Sequence, residues 1–109
     1  MEAVFIYVTA PSEEVATSIA RPVVEEGLAA CANILRGMRS IYRWQGRIEE
    51  AEETVLILKT RAALFDALAA RVRDLHPYEC PCIVALPLAA GTPDYLRWIL
   101  GETAPSSTA

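Results

Sequence analysis

Basic charge, histidine and paired cysteines are what this chain has little of. Ten Lys and Arg stand against fourteen Asp and Glu, for a formal net charge of -4. The arginines are interleaved with glutamates and form no patch. Phosphate binding relies on clustered cations, so a nucleic-acid module is disfavoured. No Ser-His-Asp or metal-hydrolase spacing is visible, and a single histidine, His76, limits such options. Cys31, Cys80 and Cys82 are odd in number and do not read as a disulfide framework, so a reducing compartment fits better. The apolar run near the start is too short to span a bilayer, and no basic segment precedes it. A cytoplasmic chain without membrane association is the expectation. What is abundant is apolar side chain: 53% of 109 residues, enough for one domain to fill a core without covalent staples. No internal repeat is visible.

Residues 3–9 are continuously apolar with β-branched and aromatic members, which predicts a strand buried on both faces. Ser12 can cap a helix with Glu13 and Glu14 in its first turn, Val15, Ile19 and Val23 form its stripe, and Gly27 ends it. Pro22 should kink that helix or mark its late boundary. Residues 29–44 read as a second strand, Trp44-Gln45-Gly46-Arg47 as a tight turn, and 47–60 as a third strand. That turn sets Arg39 opposite Glu52, a cross-strand pair on a solvated arm. Residues 62–75 are helical on the Leu64, Leu68, Val72 and Leu75 face, and His76-Pro77 ends them. Residues 82–88 form a fourth strand. Thr92 as cap and Pro93 at the first position open a last helix through Leu100. Residues 1–102 thus form one domain, and the small, polar segment Thr103–Ala109 is expected to be flexible.

The order β-α-β-β-α-β plus a terminal helix predicts a ferredoxin-like α+β sandwich. Right-handed crossovers put both long helices on one sheet face. Strands 1, 3 and 4 are apolar on both faces, so the second face needs another cover, and an oligomer is expected.

Five segments resemble the CutA family of divalent-cation tolerance proteins. They are Leu28-Ala29-Ala30-Cys31-Ala32-Asn33-Ile34, the hairpin Ser40–Glu49, Leu58-Lys59-Thr60, His76-Pro77-Tyr78-Glu79-Cys80-Pro81, and Asp94-Tyr95-Leu96-Arg97-Trp98. The resemblance runs in order from about residue 4 to 100. It implies a homotrimer, a response to metal ions with divalent-cation or copper binding, no enzymatic activity, and an intersubunit cleft lined by His76, Tyr78, Trp44, Lys59 and Asn33. Two positions depart from the family pattern. Ala10 stands where many members have Cys, and Cys82 where many have Glu; both positions are associated with metal contacts in the family.

Read as chemistry, the ligand candidates are His76, Cys80 and Cys82. On an extended segment, Cys80 and Cys82 at i, i+2 point to one face. Two thiolates and an imidazole suit Cu(I) best and Zn(II) second. The alternative is that both cysteines are small packed hydrophobes, the reading that also places Cys31 in the core. His76 at a helix end can serve a ligand or cap carbonyls. Lys59 can face an anion or snorkel from a sheet end. Trp44 can line a cleft or be buried at an interface. Tyr78 and Asn33 can hydrogen-bond across subunits. Acylphosphatase-like hydrolysis lacks its Arg at the turn Thr9–Glu13, and an RNA-binding sheet lacks aromatics in Val55-Leu56-Ile57-Leu58. The stronger rival is a trimeric PII-like signalling or scaffold module that binds a small ligand or a partner protein in the cleft.

Overall fold

Alternation along one central pair of strands organises the molecule. The structure, a computed structural model, describes residues 2–104. β1 (Ala3–Ala10), α1 (Glu13–Glu25), β2 (Cys31–Trp44), β3 (Arg47–Arg61), α2 (Phe65–Leu75, after a 3-10 turn), β4 (Ile83–Pro87) and α3 (Pro93–Gly101) follow in that order. The strands form one antiparallel sheet in the order β2-β3-β1-β4. This is the ferredoxin-like arrangement. β1 and β3 are central, so their even-numbered side chains, among them Ile6, Val8, Leu56 and Leu58, are wholly enclosed under α1 and α2. Ile19 and Val23 of α1 and Leu68 and Val72 of α2 complete that core.

The helix ends follow local rules. The Ser12 hydroxyl accepts from the Val15 amide at 3.1 Å. Pro22 has no amide to donate, and the helix runs on only to Glu25. Gly27, at φ +76°, then lets the Leu28 amide reach the Val23 carbonyl and its own amide the Val24 carbonyl. That is the Schellman closure, which a Cβ would strain. Thr92 precedes α3 as expected but makes no side-chain cap; its carbonyl accepts from Leu96 instead.

The β2–β3 pairing carries the expected Arg39–Glu52 register. The Arg39 guanidinium, however, reaches diagonally to Glu50 at 2.6 Å. Both groups are exposed, so the pair contributes at most about 1 kcal/mol. The turn residues Gln45 and Gly46 both have positive φ, +51° and +80°, as a type I′ turn requires. Gln45 is the poorer fit, since Asn tolerates that region better. Gln45→Asn should therefore raise stability by about 0.5 kcal/mol in urea denaturation.

One irregularity decides which side chains the arm presents. Between Leu35 and Met38 the register shifts, leaving two residues, Arg36 and Gly37, against one on β3. Gly37 takes φ +88° there. After this bulge Met38, Ser40, Tyr42 and Trp44 share the face of Leu35 and Glu53; regular alternation would have placed Ile41 and Arg43 there.

The face away from α1 and α2 is covered at one end only. α3 packs there, with Ile99 enclosed, Lys59 bonded to Tyr95, and Arg61 bonded to Thr103 and the Leu100 carbonyl. Thr103 is buried and the Ala104 amide donates to the Gly27 carbonyl. The remainder of the expected flexible tail, 105–109, lies outside the described residues. The rest of that face is open: Val84 and Leu86 are each 44% exposed and Leu35 is 55% exposed. Cys31 stands opposite Lys59 on this same face, half-buried, and is not a core residue as its apolar neighbours suggested.

Candidate functional site

The segment His76–Cys82 leaves α2 and enters β4 beside the end of β1. His76 is 8% exposed and pins it. Its Nε2 lies 2.7 Å from the Thr9 carbonyl, and its Nδ1 is 3.1 Å from the Tyr78 amide. A carbonyl can only accept and an amide can only donate. The ring proton therefore sits on Nε2, and the Nδ1 lone pair is taken. As a metal ligand His76 would have to give up one of these bonds. In this structure it anchors the loop.

Tyr78 then turns its hydroxyl to Glu53 and donates at 2.7 Å. Burial first, and then the bonded Glu53 carboxylate, push the phenol well above its ordinary value. It stays a protonated donor throughout the working pH range. Glu53 itself is only 9% exposed.

These residues border a cleft of about 320 Å³. The sheet contributes Thr9 and Glu53, and the arm contributes Tyr42 and Trp44. The loop adds Tyr78, Glu79, Cys80 and Cys82. The two cysteines precede β4 and do not lie in the expected strand from 82, yet both line the cleft. Both are free and exposed. Burial, then the negative Glu53, raise the Cys82 thiol, so a metal must displace a proton to bind there.

Of the expected site residues, Trp44, Tyr78, Cys80 and Cys82 come together in one subunit. Lys59 and Asn33 do not join them. The Lys59 ammonium donates to the Tyr95 hydroxyl at 2.8 Å and lies 5.1 Å from the Phe5 ring centroid, facing α3. Asn33 is exposed on the outer strand β2, opposite Ile57. Reading the sequence missed Tyr42, Glu53, Thr9 and Glu79. Gly37 was the available signal, since an isolated glycine in a strand marks a bulge and a bulge changes the facing of all that follows.

Fold and site together define a class: an antiparallel ferredoxin-like subunit with one uncovered apolar sheet face and a cleft lined by thiols, carboxylates and aromatic rings. The family model described as CutA1 divalent ion tolerance protein matches residues 4–102. The divalent-cation tolerance protein CutA of Thermus thermophilus is 52% identical over 98 residues, covering 90% of this chain and 95% of that protein. A solved Thermus thermophilus structure, titled divalent cation tolerance protein (Cut A1), superposes with a TM-score of 0.91 at 50% identity, over 94% of this chain and 99% of that one. The chloroplastic protein CutA of Arabidopsis thaliana is 39% identical over 100 residues, 92% of this chain but 55% of that longer protein. The chain belongs to the CutA1 divalent ion tolerance family.

Proposed function

We propose that the protein is a non-enzymatic, cytoplasmic homotrimer that binds metal, copper as Cu(I) first, and takes part in the response to metal ions. One observation carries the metal reading. Cys80 and Cys82 are free thiols on one cleft, its charged members are the acids Glu53 and Glu79, and none of its lining residues is cationic. Thiolates are soft donors that select Cu(I) over hard cations. Among the described residues no group of three His, Cys, Asp or Glu is assembled within one subunit. The donor set therefore fits two-thiolate binding, or a site completed by a neighbouring copy.

The homotrimer is supported by the uncovered face. A monomer rarely leaves such an apolar strip in water. The cytoplasm is supported by three unpaired cysteines, although the Arabidopsis relative is described as chloroplastic. No helix among the described residues is long and apolar enough to cross a membrane. The PII-like reading of the cleft as an anion site draws less support, because Lys59 is engaged with Tyr95 and the cleft is acidic.

Native mass spectrometry of the reduced protein with added Cu(I) tests this. The expected result is a trimer gaining about one copper per subunit, lost in Cys80→Ser/Cys82→Ser. Uptake should rise with pH, since the raised Cys82 thiol surrenders its proton more readily in alkali. A trimer that takes copper equally without the cysteines removes the ligand assignment.

A further inference from the structure

Glu53 is a carboxylate nearly removed from water with no cation beside it. It is 9% exposed, and its Oε2 accepts from the neutral Tyr78 hydroxyl. None of the ion pairs among the described residues includes it. Its Oε1 has no described partner, and no fully enclosed side-chain oxygen among the described residues is left without one, so Oε1 opens onto the cleft. An unpaired carboxylate in such a place is costly, and Glu79 adds a second negative charge at the same cleft.

The matching cation stands on the same strand but out of reach. Among the described residues Arg21, Arg43, Arg47 and Arg73 make no ion pair. Arg21 and Arg73 belong to α1 and α2, across the sheet, and Arg43, opposite Ile48, is on the helix side of the arm. Arg47 stands opposite Trp44, and Arg47, Glu49, Ala51 and Glu53 alternate onto one face of β3, the face that α1 and α2 leave open. Six residues of strand separate Arg47 from Glu53, about 20 Å, so no arginine side chain bridges them within one subunit. Positive charge at the arm tip and negative charge in the cleft, on one uncovered face, make a match that one chain cannot close and a second copy can. A ring of three closes only through unlike patches, each subunit presenting a different one to the neighbour on either side. Tip and cleft are such a pair. We propose that the arm of one subunit places its Arg47 guanidinium in the cleft of the next, against the free oxygen of Glu53, so that every cleft in the assembly is completed by a neighbouring copy's arginine. The inference rests on the oligomer proposed above and names a contact that closes it.

The test is subunit exchange between unlabelled and isotope-labelled protein, followed by native mass spectrometry at constant ionic strength. The parent is compared with Arg47→Ala, Glu53→Gln and the double variant. Truncating one member of a buried charge pair acts mainly on dissociation. Each single variant should therefore exchange about thirtyfold faster than the parent. The double variant should be within about threefold of either single, because the second substitution finds the contact already broken. Arg47 is exposed on the arm and Glu53→Gln keeps an acceptor for Tyr78, so circular dichroism should be unchanged in all of them. Exchange at the parental rate in Arg47→Ala, or single effects that multiply in the double variant, overturns the proposal and leaves the trimer standing. A parent that runs as one subunit at every concentration removes the oligomer itself, and this contact with it.

Discussion

Replacing His76 by phenylalanine should cost the fold about 2–4 kcal/mol in urea denaturation, although no apolar contact is lost. Phenylalanine fills much the same volume but offers no ring nitrogen. The Thr9 carbonyl and the Tyr78 amide would each lose a partner in a place where water is largely excluded. Each such group costs about 1–2 kcal/mol when left unpaired. Thr9 lies one residue past the last β1–β4 partner, Val8–Ile83, so His76 extends the sheet's bonding where β4 gives out. The loop that carries Cys80 and Cys82 should therefore loosen, and the Tyr78 amide should exchange with solvent much faster. The result to the contrary is informative. A variant of parental stability that has lost copper uptake would make His76 a ligand and not the anchor of the loop.

Val84→Glu should abolish assembly while leaving the subunit folded. Val84 stands opposite Tyr7 on the sheet face that α1 and α2 do not cover, and is 44% exposed in the single subunit. A carboxylate there costs the isolated subunit little. In an assembly it would be buried against apolar surface from another copy, at several kcal/mol for each site. Native mass spectrometry and sedimentation should shift from the trimer mass to that of one subunit. The helical core, built on the opposite face from Ile6, Val8, Leu56 and Leu58, should keep its circular dichroism. Assembly that tolerates Val84→Glu would place the subunit contact elsewhere and leave this face without an explanation.

Where the two readings agree, the rules are local. Ser12 caps α1 because its own hydroxyl reaches three residues on, and Gly27 ends it because only a residue at ease with positive φ can. The Gln45-Gly46 turn sets the pairing of Arg39 with Glu52 through nothing more than counting back along two strands. Where they part, the partner lies far along the chain. Arg39 chose Glu50 over Glu52 because strand twist and side-chain length decide between an opposite and a diagonal neighbour. Lys59 bonds to Tyr95, 36 residues away, because α3 folds back over that end of the sheet.

The sequence by itself determined the element order, the antiparallel α+β layout, the helix ends, the hairpin register and the existence of a second apolar face. Each follows from periodicity or from the backbone preference of a few residues, and these act over a handful of positions. The tertiary structure alone decided what the cleft contains. Two unpaired residues at Arg36-Gly37 turned Tyr42 and Trp44 toward Glu53, and the bonds from His76 to Thr9 and Tyr78 drew the cysteine loop across to meet them. Closure of this kind depends on where the loop's anchor lies in space, which neighbouring residues do not record, and of the facing the chain carries one mark only, the glycine at 37 inside a strand.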